Sequence, residues 1–246
     1  GSWSAYWDSP TNTLNPLLAN FIRLTDRDGS SVMPFRSNTY NLEAQHALEF
    51  SASNRLIYGI NYRHNSLSSS ATDAFSRENR LGLYLQDEWR ATQSLTLVAG
   101  LRYDLDTFIN PTVSPRVALI YEASPEHTFR ASASAAYRPP PLFETHADQQ
   151  AVTTVPFIFT TTTVIKGAPN LHPEQIISYE AGYQGWFFKH RLRLRADLFF
   201  NHLSDLVTNR DISASTASFI NDPGQADIYG GEAGIEFLAT SWLTGF

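Results

Sequence analysis

Apolar and polar residues alternate with a period of two along most of this chain, and no other feature constrains its fold as tightly. Between 192 and 201, Leu192, Leu194, Ala196, Leu198 and Phe200 alternate with Arg193, Arg195, Asp197, Phe199 and Asn201. A helix would scatter the two arginines and the aspartate around its circumference. A strand puts them on one face, opposite an uninterrupted apolar row. Leu81, Leu83 and Leu85 alternate in the same way with Arg80, Gly82, Tyr84 and Gln86. Leu95, Leu97, Ala99, Leu101 and Tyr103 alternate with Thr96, Val98, Gly100 and Arg102. Over 40–50 the row Tyr40, Leu42, Ala44, Leu48, Phe50 is interrupted by His46, and 55–62, 115–122, 129–137, 178–188 and 229–238 follow the same rule. About nine full strands result, with fragments at each end. Most approach the ~9–11 residues that cross a bilayer at a tilt, where soluble strands average ~5–6.

The links between strands carry the second signal. Short links around 51–53, 91–93, 124–126, 189–190 and 240–241 alternate with long ones at 65–77, 105–114, 138–177 and 203–228. This is the construction of an outer-membrane barrel, with tight turns on the periplasmic side and large loops outside. It also fixes direction: 40–50 runs toward the periplasm and 55–64 away from it. Tyr103, Tyr137 and Tyr179 then fall at the outer rim, and Trp89, Tyr121, Phe129 and Phe187 at the inner one, as two aromatic girdles. Soluble sandwiches and lipocalin-like barrels also alternate. Strand length, alternating link length and arginines aligned opposite apolar rows weigh against them.

Composition fits this reading and excludes others. The net charge of −6 argues against nucleic acid as the main partner, since a phosphate-binding surface is basic. The absence of cysteine excludes disulfide scaffolds, Cys-based zinc sites and thiol nucleophiles. No run of roughly 18 apolar residues marks a transmembrane helix. Neither a Gly-x-Ser-x-Gly turn nor a His-Glu-x-x-His helix occurs, so no catalytic arrangement, resident metal or cofactor is expected.

The polar row Arg193, Arg195, Asp197 has two readings: a functional surface that steers an anionic chelate or contacts a plug inside the barrel, or a solvated lumen wall with internal ion pairs. Arg138 precedes three prolines, Pro139 to Pro141, which favour stiff, extended backbone at the exit of a strand. His146 stands in the long loop beside Glu144 and Asp148. The Thr-rich, β-branched stretch 152–165, with Phe157 and Phe159, reads as a projecting hairpin or a flexible lid.

Several of these stretches resemble, in order, motifs of the TonB-dependent outer-membrane receptors. Tyr84-Leu85-Gln86-Asp87-Glu88-Trp89 followed by Leu95 to Asp104, and Ser114-Pro115-Arg116-Val117-Ala118-Leu119, are similar to strands common in that family. Tyr137-Arg138-Pro139-Pro140 with Leu142-Phe143-Glu144 resembles its FRAP-type box. Ala168-Pro169-Asn170-Leu171 with Pro173-Glu174 resembles its NPNL-x-PE box. Tyr179 to Tyr183, Ala196 to Asn201 and Gly230-Gly231-Glu232 follow in the family's order, and the resemblance covers roughly 40–240.

The resemblance implies an all-β fold: an antiparallel transmembrane β-barrel segment, incomplete, with about 9–10 strands of a barrel of ~22. Residues 1–246 are then a partial barrel domain truncated at both ends, with the plug and TonB box outside the chain. The start, Gly1-Ser2-Trp3, reads as a tag scar or an arbitrary cut, and Phe246 as an interruption of an ascending strand begun at Trp242. The implied function is TonB-energised uptake of a ferric siderophore or similar small chelate, in the outer-membrane lipid, through the TonB complex. A haem or cobalamin receptor of the same family and a passive porin-like channel are the alternatives. Arg138, Phe143, Glu144 and His146 are the candidate ligand-binding residues. In receptors of this kind that take haem, a ligating His lies between the two boxes, where His146 stands.

Overall fold

The structure is a computed structural model, and it describes residues 22–31, 33–73, 76–155, 157–240 and 243–245. Trp242 and Phe246, on which the expectation of an interrupted last strand rests, lie outside the described residues.

Nine long strands form most of one antiparallel sheet: β2 (Phe35–Ser51), β3 (Asn54–Ser69), β4 (Ser76–Arg90), β5 (Leu95–Asp106), β6 (Thr112–Ser124), β7 (His127–Arg138), β10 (Glu174–Phe187), β11 (Leu192–Ser204) and β14 (Ala226–Thr240). The short β15 (Leu243–Gly245) completes a ten-stranded order, β15-β14-β11-β10-β7-β6-β5-β4-β3-β2. Each long strand lies beside its neighbours in sequence order, as an up-and-down barrel wall requires. The shortest strands have 12 residues. At ~3.3 Å per residue and a tilt near 40°, such a strand covers about 30 Å, the thickness of the hydrocarbon.

The two faces separate as the alternation demands. Across β10, β11 and β14, Tyr183, Ala196 and Ala233 stand in one rung and Gly182, Asp197 and Glu232 in the next. Carried through the registers, one face collects Leu85, Leu101, Val117, Leu119, Leu198 and Ile235, all exposed. This is the outward face. All seven predicted girdle aromatics lie on it. The inward face carries most of the charges. Arg193 pairs with Glu236 and lies over the Trp186 ring. Arg130 donates to Asp197 at 2.5 Å, and Arg102 donates to Asp104 at 2.6 Å. The solvated lumen wall with internal ion pairs is therefore what the Arg193–Asp197 row builds.

Glycines make these inward pairs possible. Arg130 on β7 reaches Asp197 on β11 across β10, where a Cβ on Gly182 would come within 2.4 Å of both side chains. Tyr84 on β4 likewise lies across Gly59 on β3 to donate its hydroxyl to Glu43 and Gln45 on β2.

The strands run further than the apolar pattern extends. Links read as 65–77 and 105–114 shrink to 70–75 and 107–111, because β3, β4 and β5 continue beyond the membrane zone. There the rows are largely polar, with Ser66, Ser76 and Glu78 buried among them, so pairing continues without an apolar row to mark it.

A second, five-stranded sheet caps the long-loop end: β1 (Ile22–Asp26), β8 (Asp148–Val155), β9 (Phe159–Lys166), β12 (Val207–Ser213) and β13 (Thr216–Asn221), in the order β1-β8-β9-β13-β12. The 152–165 stretch is the projecting hairpin β8–β9. The long link 203–228 holds the hairpin β12–β13, which joins β9 by a parallel pairing.

Candidate ligand-binding site

Three prolines cannot extend a strand interior, since each lacks the donor a ladder needs. The chain leaves β7 at Arg138, passes through extended Pro141 (φ −67°, ψ 157°) and enters the short helix α1 (Leu142–His146). Here the two boxes meet. Arg138 stands opposite Glu174 in the β7–β10 register, and its Nε donates to the Glu174 carboxylate. The same guanidinium lies 3.4 Å from Glu144 on α1. The second oxygen of Glu174 accepts the Val207 backbone N–H at 2.8 Å. One cation and two carboxylates thus tie together β7, α1, β10 and the start of β12. Burial raises the affinity of the Glu144 carboxyl for a proton, and the neighbouring Arg138 only partly opposes this.

Backbone contacts continue the seam. Ala168 N–H donates to the Glu144 carbonyl at 3.0 Å, and Gly167 N–H to the Ala147 carbonyl at 2.7 Å. A Cβ on Gly167 would lie 2.4 Å from the His146 nitrogen and 2.5 Å from that of Ala147, so only glycine allows this approach. Asp73 N–H donates to the His146 carbonyl at 2.9 Å and Asp148 N–H to the Ala71 carbonyl at 2.8 Å, which docks α1 on the β3–β4 link. Ala71, Leu142, Ala147, Leu171 and Ala217 form the buried apolar core under this cap.

Of the four predicted residues, Arg138 and Glu144 come together. Phe143 is partly exposed and meets the Phe219 ring of β13 edge-on, at 6.0 Å between centroids. His146 turns elsewhere: its Nδ1 lies 2.7 Å from the Thr145 hydroxyl and its ring abuts Phe108 at 5.2 Å. Two further residues organise the cap. Asn221 donates to the carbonyls of His172 and Asp205 and accepts from His172 N–H. Asp148 accepts from Lys166 at 2.8 Å and faces Arg27 at 3.7 Å. No periodicity or local motif announces either, because their partners are remote in sequence. Above the cap, Phe157, Ile158 and Phe159 stand exposed at the tip of the β8–β9 hairpin, with Phe157 in the left-handed region (φ 65°).

The family model described as TonB dependent receptor-like, beta-barrel, matches residues 1–246. The chain belongs to the TonB-dependent receptor β-barrel family. Similar solved structures share its fold at low identity. The siderophore receptor PirA from Pseudomonas aeruginosa aligns with a TM-score of 0.73 at 17% identity, over 86% of this chain and 42% of that one. The siderophore receptor PirA from Acinetobacter baumannii gives 0.67 at 17%, over 84% and 35%. The FrpB iron transporter from Neisseria meningitidis gives 0.68 at 17%, over 84% and 34%. A search of curated proteins finds no match. This TonB-dependent receptor barrel therefore spans well under half the length of those structural neighbours, which are receptors and transporters.

Proposed function

We propose that this chain is barrel wall and extracellular cap of an outer-membrane receptor that takes up a ferric siderophore or a similar small metal chelate, energised through the TonB complex. The observation that carries this reading is the cap. A wall with ion pairs along its inward face is topped by a second sheet pinned at the Arg138–Glu174–Glu144 cluster, and this sheet carries an exposed apolar tip. A diffusion channel has no need of such a presenting surface. The names of the structural neighbours support iron chelates as the ligand class. In this reading the metal is cargo, held by the chelator, so the cap supplies apolar and polar contacts and no ligand to iron. Phe157 and Phe159 make first contact. Arg138 and Glu144 hold the cap in place beneath them, with Phe143 beside the path.

Binding of a panel of ferric chelates to the full-length protein, followed by tryptophan fluorescence, tests this. Serine at both Phe157 and Phe159 is expected to weaken binding at least tenfold, on the order of the ~1.4 kcal/mol that partial loss of two aromatic contacts removes. Arg138→Ala, which leaves two carboxylates facing each other, is expected to weaken it less. His146→Ala is expected to leave it unchanged, since that ring is engaged with Thr145 and Phe108. Failure of every ferric chelate to bind the wild-type protein defeats the reading. A specific loss of haem binding on His146→Ala transfers it to a haem receptor.

A further inference from the structure

The outward face carries a cleft of about 570 Å³ whose long axis runs across the strands. Its floor is one rung of the sheet: Asp87 on β4 faces Ala99 on β5, which faces Val117 on β6, which faces Ala133 on β7. Trp89 and Leu119 wall it on the periplasmic side. Small side chains sink the floor below the leucines that cover most of this face. Because the strands tilt, a groove that follows a rung climbs obliquely from the inner rim toward the midplane.

The lower end of this groove is the unusual part. Asp87 stands three residues from the end of β4, in the apolar row beside Leu85 and Trp89, where every other barrel feature calls for lipid contact. Its carboxylate accepts from the amide of Asn54, the first residue of β3, at 3.3 Å. One oxygen of a formally anionic group is thereby engaged, at the depth where phospholipid headgroups lie and beside an interfacial tryptophan. A carboxylate in that place complements a small cation that can donate hydrogen bonds.

We infer that this cleft binds one phospholipid of the periplasmic leaflet, with a primary-ammonium headgroup on Asp87 and Asn54 and an acyl chain along Ala99, Val117 and Ala133. The inference rests on the outward face meeting hydrocarbon, and not on which chelate the receptor takes. An ethanolamine headgroup donates to the carboxylate. A choline headgroup, fully methylated, cannot donate, and a glycerol headgroup leaves the lipid anionic.

Native mass spectrometry of the full-length protein in detergent, with phosphatidylethanolamine, phosphatidylcholine and phosphatidylglycerol of matched chains, decides the matter. The wild type is expected to retain one phosphatidylethanolamine several-fold more than either other lipid. Asp87→Asn is expected to erase the preference while heat-modifiable migration and ferric-chelate binding persist. Ala133→Leu, which fills the groove, is expected to lower retention of all three lipids, and Ala196→Leu, on the same face outside the cleft, to change nothing. Equal retention of the three lipids by the wild type, or a wild-type pattern in Ala133→Leu, overturns the inference even if Asp87→Asn fails to fold.

Discussion

Two glycines show how position decides the cost of one methyl group. At Gly182 the atoms in the way are the ends of two flexible, solvated side chains, Arg130 and Asp197. Gly182→Val should turn them aside and lose one exposed ion pair, a loss of about 1 kcal/mol or less. At Gly167 the atoms in the way are backbone nitrogens of His146 and Ala147, which cannot rotate clear. Gly167→Ala should cost about 1–3 kcal/mol locally and part the two boxes. Limited proteolysis of the 139–173 loop in the assembled receptor reads the difference: faster cleavage in Gly167→Ala, wild-type cleavage in Gly182→Val. The sequence named both boxes, but it could not show that Arg138 and Glu174 face each other across two strands. That pairing spans 36 positions and is fixed only by the β7–β10 register. The Arg193–Asp197 row was legible because its cause is local: three polar residues spaced by two must share a face.

Strands were legible where hydrocarbon reads them and obscure where it does not. β11 announced itself through five alternating apolar residues. The far ends of β2 and β3, Phe35 to Thr39 and Asn65 to Ser69, pair in register through mostly polar residues, so no apolar row marks them. The hairpin β12–β13 hid for the same reason, its first strand reading Val-Thr-Asn-Arg-Asp-Ile-Ser. The five-residue α1 is too short to show a helical period. Depth along a strand also sets energetics. Leu198 lies mid-strand in β11 and is 65% exposed on the outward face, while Leu194 is two residues from its periplasmic end. Leu198→Arg should therefore cost ~2–4 kcal/mol and Leu194→Arg markedly less, since the penalty falls toward the interface. Folding titrations of the full-length barrel into lipid bilayers measure both. Equal losses would contradict the placement of the bilayer on this wall.

At the scale of the molecule, one sheet supplies a wall and a second, smaller sheet supplies a cap, and the ion cluster at Arg138 joins them. Several of the wall's inward charges pair across strands, Arg130 with Asp197 and Arg193 with Glu236 among them, which suits a lumen that stays solvated. The cap's exposed Phe157 and Phe159 suit capture from outside. Under the proposed function, the two together serve a receptor that must be driven, rather than a pore through which solutes drift. Accumulation of labelled iron in cells tests that claim most directly: cells lacking the receptor, cells given it back at full length, and the latter treated with a protonophore, each offered a ferric chelate that the protein binds. The account predicts saturable, receptor-dependent accumulation that stops when the proton-motive force collapses. Accumulation that persists without the proton-motive force, and that rises linearly with chelate concentration, would contradict it.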